Sequence, residues 1–215
     1  MIALVAVVAA VVVAAALFVI RLKYELRRAN TPTTGERIDI SMRPNLALLV
    51  IDIQKDFTSI GGKYGWDEAY LKPRLAMIST ATIKASEAEI PVIAISHVYR
   101  APLTRLMIWL FGEGRGIPGS KGLDLGLPLS PDFEVVKSLG DGFSSPELEG
   151  YLAANRVGTL LLTGLDGCHC VQNTANGALN RGYRVEILEN AVLSRDEAGW
   201  RKHAEALEGR GAVLT

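Results

Sequence analysis

The chain has 215 residues and balances 23 Lys and Arg against 23 Asp and Glu, for a formal net charge of zero. Every one of those charges lies outside residues 1–20 (MIALVAVVAAVVVAAALFVI), so one segment supplies much of the mean hydropathy of +0.22 while the remainder carries an ordinary soluble-domain charge content. These figures exclude a multi-span membrane protein, a disordered chain and a basic nucleic-acid binder, and two cysteines exclude a disulfide-stapled scaffold.

Twenty apolar residues at about 1.5 Å each span about 30 Å, the thickness of a hydrocarbon core. A cleavable signal peptide wants its positive charges before the apolar run. Here they follow it, as Arg21, Lys23, Arg27 and Arg28 against Glu25. Residues 1–20 therefore read as one uncleaved transmembrane helix, with a signal peptide or a buried core helix as the rival readings. The basic flank places the rest of the chain in the cytoplasm by the positive-inside rule. Residues 21–45 read as a basic flank and linker. Their later part (29–45, ANTPTTGERIDISMRPN) is polar, carries Thr, Pro and Gly, and has no sustained apolar period, as expected of a tether.

From Leu46 to the end, short Val/Ile/Leu-rich runs alternate with helical patterns. The runs are 46–51, 91–95, 133–136, 157–162, 183–188 and 212–214, and the helical stretches lie at about 71–88, 146–155, 171–181 and 196–208. Near-continuous apolar strands between helices predict an α/β fold: a single three-layer α/β/α domain over 46–215 with a mostly parallel six-stranded sheet. The stretch 98–132 interrupts this rhythm. It opens with Leu103, Leu106, Met107, Leu110 and Phe111 at helical spacing, which suits a lid, a subunit interface, a segment resting on a membrane or plain core. Residues 114–119 formally match G-x-G-x-x-G, but Pro118 interrupts the motif and no helical period follows, so a long loop is the expected structure.

In an open parallel sheet, ligands bind beyond the carboxyl ends of the strands. The first apolar run ends in Asp52, the third in Lys137, and the fourth leads through Thr163-Gly164-Leu165-Asp166-Gly167-Cys168-His169-Cys170 into a helix. Taken singly, these are most simply a turn residue, a solvated amine and a small core filler. Together they are a coherent set, because a thiol becomes a nucleophile when a base and a positive charge stand beside it. A helix N-terminus favours its thiolate further.

Three motifs now stand in order: ALLVIDIQKDF (47–57), VVKSLGDGFSSPEL (135–148) and TGLDGCHCVQNTANGALNRGYRV (163–185). The chain resembles the isochorismatase-like cysteine hydrolases, a family that includes nicotinamidases and N-carbamoylsarcosine amidases, over nearly all of 46–215. The resemblance implies a triad of Asp52, Lys137 and Cys170, the nucleophile being the Cys directly before Val171. It also implies an oxyanion hole from the backbone N–H groups of Asp166 and Cys170, aimed by a cis peptide between Leu165 and Asp166. The reaction implied is hydrolysis of a small amide or ureido C–N bond through a Cys170 thioester. Hydrolysis of a vinyl ether in the manner of isochorismate, or a silent membrane-tethered binding module, are the alternatives. Homo-oligomers are implied as well.

Two positions depart from the family pattern: Gly167, where a small hydroxyl residue is usual, and Asp166, whose carboxylate would stand near the thiol. Nicotinamidases of the family also hold a metal on an Asp and several His. Here His97, His169 and His203 lie on different elements and the window GGKYGWDEAYLKPRLA (61–76) has no His, so neither a metal nor another cofactor is expected. Substrate contacts are expected from Gln54, Phe57, Trp66, Arg100 and Phe143, with Arg105, Arg115 and Lys121 as further candidates for holding a carboxylate. Cys168 reads as a packed small side chain, with a resolving thiol for an oxidised Cys170 as the alternative.

Overall fold

The computed structural model describes residues 1–60 and 65–215. Six strands form one sheet: β1 (Asn45–Ile51), β2 (Val92–His97), β3 (Phe133–Lys137), β4 (Val157–Leu165), β5 (Arg184–Leu193) and β6 (Val213–Leu214). Their order is β3-β2-β1-β4-β5-β6, and every neighbouring pair is parallel. Each apolar run read from the sequence is a strand. β4 and β5 extend three and five residues past the expected ends, into Leu165 and Leu193.

The central strands are apolar on both faces because both faces are covered. On β1, Ala47, Leu49 and Ile51 point into one core, shared with α5 (Pro146–Ala154), α6 (Gln172–Arg181) and α7 (Glu197–Glu208). Leu48 and Val50 point the other way, into a core shared with Leu71, Ile78 and Ala85 of α3 (Glu68–Glu87). These are the three layers the alternation predicts. A short helix, α2 (Lys55–Thr58), follows β1, and α4 (Pro102–Phe111) holds the apolar stretch of the long 98–132 connection. The G-x-G-x-x-G segment follows this helix rather than a strand. The Asp56 carboxylate accepts from Gly116 N and Ser120 Oγ there, so an anion already occupies the position a phosphate would take.

The N-terminal apolar run is part of a single helix, α1 (Ile2–Ala29), which continues without a break through the basic flank. Residues 1–20 are exposed along their whole length. The segment after it is bound to the domain more closely than its composition suggests. Thr33 donates through N and Oγ1 to Asp141 Oδ2, at 2.7 Å each, and Arg181 donates to Thr33 Oγ1 and to the Thr34 carbonyl. Ile38 N adds a bond to the Arg181 carbonyl. Aperiodic polar sequence leaves side-chain pairings of this kind invisible, since they depend on partners more than a hundred residues away.

Candidate active site

The site is assembled from strand ends. At the end of β1 the chain turns at Asp52, which adopts φ 56, a left-handed conformation that Asp tolerates better than most non-glycine residues. β4 reaches its own end beside it. Gly164, φ 115, approaches Ile51 so closely that a Cβ would lie 2.1 Å from the Ile51 carbonyl oxygen. Asp52 and the turn after β4 therefore face each other across β1 and β4, the point where the strand order reverses direction.

Lys137 and His97 are the last residues of β3 and β2 and are register partners, so their side chains share one face of the sheet. Both are buried with Asp52, at 1%, 4% and 3% exposure. Lys137 Nζ stands 2.8 Å from Asp52 Oδ2 and 2.9 Å from His97 Nδ1. An ammonium only donates, so His97 Nδ1 accepts and the ring carries its proton on Nε2. Burial and the Lys137 charge both push the imidazole well below its ordinary pKa, which keeps it neutral.

The Leu165–Asp166 peptide is cis, and a π-helical turn, Gly167–Val171, leads from it into α6. Cys170 sits in that turn with Sγ 4.0 Å from His97 Nδ1. One donor atom each of Asp52, His97 and Cys170 lies within 4.8 Å of the others. Such a set resembles a metal site, but Lys137 Nζ already stands between Asp52 and His97. The donor set therefore does not suit a metal ion alongside that ammonium. Residues 61–64 of the histidine-free window lie outside the described residues.

Burial governs the charges of the cluster. It raises the Asp52 carboxyl above the ordinary range, against the opposing pull of Lys137. It also pushes the Cys170 thiol far up, and the neighbouring Asp52 charge adds to that push more than Lys137 relieves it. Burial alone would lower Lys137, yet opposing interactions, the neighbouring Asp52 charge first among them, hold the ammonium above its usual value. Lys137 Nζ donating to Asp52 Oδ2 is the geometry of an ammonium paired with a carboxylate. Asp52 Oδ1 is buried with no hydrogen-bond partner among the described residues, which leaves it as an open acceptor.

A pocket of about 650 Å³ opens onto this cluster, lined by Asp52, His97, Lys137 and Cys170 with Phe57, Tyr99 and Arg100. Its outer wall comes from α1 through Tyr24, Glu25 and Arg28. Of the expected substrate contacts, Phe57 and Arg100 line it. Gln54 does not: its amide accepts from His97 N and donates to the His97 and Leu123 carbonyls, pinning strand ends together. Trp66 is buried behind Phe57, donating to its carbonyl at 2.6 Å. Phe143 is in the core under the Arg181 guanidinium. Arg115 and Lys121 line a separate loop pocket, and Arg105 is exposed on α4.

His97, Tyr99 and the α1 residues Tyr24, Glu25 and Arg28 are among the pocket residues that sequence reading missed. The signal for His97 was weaker but available, because it lies two residues past the second apolar run, where Asp52 and Lys137 directly follow theirs. The two departures from the family pattern also find physical reasons. A Cβ on residue 167 would lie 2.7 Å from the Trp200 ring, so that ring demands glycine. Asp166 Oδ1 accepts from Cys168 N and Ser194 Oγ and so caps the turn. Cys168 Sγ packs against Ser194 Oγ and the Asp196 carbonyl, and His169 Nδ1 lies 3.2 Å from Asn30 Oδ1 at the end of α1.

A family model described as the isochorismatase domain matches residues 46–215. An isochorismatase-family protein of Bacillus subtilis is 29% identical over 176 residues, covering 75% of this chain and 91% of that protein. The streptothricin hydrolase of Streptomyces noursei is 28% identical over 163 residues, covering 73% of this chain and 57% of its own length. Among solved structures, the pyrazinamidase/nicotinamidase of Streptococcus mutans superposes with a TM-score of 0.69 at 26% identity, over 80% of this chain and 100% of that one. With the fold, the motifs and the family match in agreement, this chain belongs to the isochorismatase family and is a hydrolase of that family.

Proposed function

We propose that this chain is a membrane-tethered cysteine amidohydrolase that cleaves a small amide or ureido C–N bond. One observation carries the catalytic part: a buried carboxylate with an open oxygen, a buried ammonium and a thiol converge at the switch point of the sheet. In the proposed reaction Asp52 takes the Cys170 proton as the sulfur attacks the carbonyl carbon, and Lys137 stabilises the thiolate. The developing oxyanion is held by the N–H groups of Asp166 and Cys170. The neighbouring N–H groups of Cys168, His169 and Val171 are committed to Asp166, which supports this assignment. Each such donor is worth about 3 kcal/mol in acyl transfer. Asp52 then returns the proton to the leaving amine or ammonia, and a Cys170 thioester remains. Water, deprotonated by Asp52, attacks it and releases the acid and the thiol. Relatives named as a streptothricin hydrolase and a pyrazinamidase/nicotinamidase support small non-peptide amides as the substrate class. Phe57 and Tyr99 flank the bound group, and Arg100 offers a cation to an anionic substituent.

Tethering rests on α1, whose apolar stretch is long enough to cross a bilayer and finds no cover among the described residues. The basic residues after the span favour a cytoplasmic catalytic domain. The catalytic reading is tested by ammonia release from the full chain in detergent across primary amides, ureas and carbamoyl acids, beside Cys170→Ala. Release by the parent and none by the variant supports it. Equal release by both, or vinyl-ether cleavage with no amide turnover, refutes it.

A further inference from the structure

α4 carries seven large apolar side chains and one charge in ten residues, yet none of the ten is buried. Leu106, Trp109, Leu110 and Phe111 are 43%, 66%, 52% and 74% exposed. A helix with this composition normally covers a core. Here it is held against α1 instead: Glu25 Oε2 accepts from Thr104 N and Oγ1 at 3.0 Å each, and Arg21 pairs with the other Glu25 oxygen. Along one face of α1, exposure falls to 37% at Phe18, to half-buried at Leu22 and Ala29, and to 6% at Glu25.

We infer that α4 is an interfacial helix, seated in the headgroup layer of the membrane that α1 spans, so that the active-site pocket opens at the lipid surface. The inference rests on the reading of residues 1–20 as a membrane span. Height supports it first. Glu25 lies five residues beyond Ile20, about 7.5 Å along the axis, and the headgroup layer is about 5–8 Å deep, so Thr104 stands at that level. Composition supports it next: exposed Trp and Phe beside Leu, with Arg105 on the same helix, is the make-up of a surface-lying segment. Charge complementarity names the lipid. Arg21, Lys23, Arg27 and Arg28 surround the same level and suit anionic headgroups. A second copy of the chain is a poorer occupant. Four partly exposed side chains offer on the order of 400 Å², half of the roughly 800 Å² per partner of a stable interface.

Seating α4 this way gives α1 a second task. Because α1 forms one wall of the pocket, the anchor and the interfacial helix together hold its mouth against the bilayer.

Trp109 is a built-in probe, since Trp66 and Trp200 are only 6% and 7% exposed. The full chain is reconstituted into phosphatidylcholine–phosphatidylglycerol vesicles whose acyl chains are brominated close to the headgroup. Tryptophan emission is then compared with that of Trp109→Phe in the same vesicles. The expected result is strong quenching of the parent, with more than half of the Trp109 contribution lost, and little quenching of the variant. Co-flotation with the vesicles but equal emission in brominated and plain lipid overturns the inference while leaving the span intact. Failure to co-float overturns the span and the inference together. An unquenched chain that elutes as a dimer in detergent assigns the patch to a second copy, against the inference.

Discussion

The carboxyl edge of the sheet and the α1–α4 pair reverse the usual distribution of side chains in opposite senses. At the sheet edge charged groups are buried: Lys137, Asp52 and His97 are at most 4% exposed. Around α1 and α4 large apolar groups stand in the open, up to 87% at Ile2 and 74% at Phe111. Buried charges persist only where they satisfy one another, so their compensation lies inside the chain, and the residual imbalance, an open carboxylate oxygen beside a thiol, is chemistry. Exposed apolar surface has no such compensation among the described residues, and the proposed membrane contact would supply it from outside. Glu25 joins the two regions, a buried carboxylate that borders the pocket and fastens α4 to α1.

The buried side of this contrast is broken most severely by Cys170→Ala. Loss of turnover of about 10⁴-fold or more is expected, the scale of nucleophile deletions, with an unchanged thermal transition. Ammonia release and calorimetry measure the two. Asp52→Asn removes the proposed base, so turnover should fall about 10²- to 10⁴-fold. It also removes the negative charge that opposes the thiolate. Iodoacetamide labelling of Cys170 should therefore speed up, and slower labelling would show that the carboxylate activates the resting thiol. Lys137→Met has the opposite sign for labelling, because the cation that favours the thiolate is gone. It also strands Asp52 as an unpaired buried charge, at a cost of about 3–5 kcal/mol, measured by urea unfolding.

A milder perturbation is pH. Protonating Asp52 removes the base, so kcat/KM is lost as pH falls through a carboxyl pKa that burial has raised. The acid limb should therefore lie above the ordinary Asp value of about 4, and a limb at or below it would contradict a buried base. The smallest effect belongs to the other region. Glu25→Ala removes two hydrogen bonds to a charged acceptor, so hydrogen exchange over residues 104–108 of α4 should rise roughly tenfold while the sheet stays protected.

Much of the fold was legible because parallel strands covered on both faces read as apolar runs, and the residues closing those runs fall at one edge by topology. That logic reached Asp52, Lys137 and the Cys170 turn. It extended to His97 as well, whose role lies in the register pairing with Lys137. Side-chain direction was not legible. Gln54, Trp66 and Phe143 sit within or near the motifs, yet one is absorbed by backbone hydrogen bonds and two by packing. The strap at Thr33 was hidden for a related reason, since its partners Asp141 and Arg181 are distant in sequence.

The central claim is a covalent one, that acyl transfer passes through Cys170. It is tested most directly by intact-mass spectrometry of the full chain, acid-quenched during turnover of whichever amide releases ammonia. A Cys170 adduct equal in mass to the substrate's acyl group, absent from Cys170→Ala, is the predicted result. Sustained turnover with unmodified Cys170, and no hydroxamate formed when hydroxylamine competes with water, would contradict it.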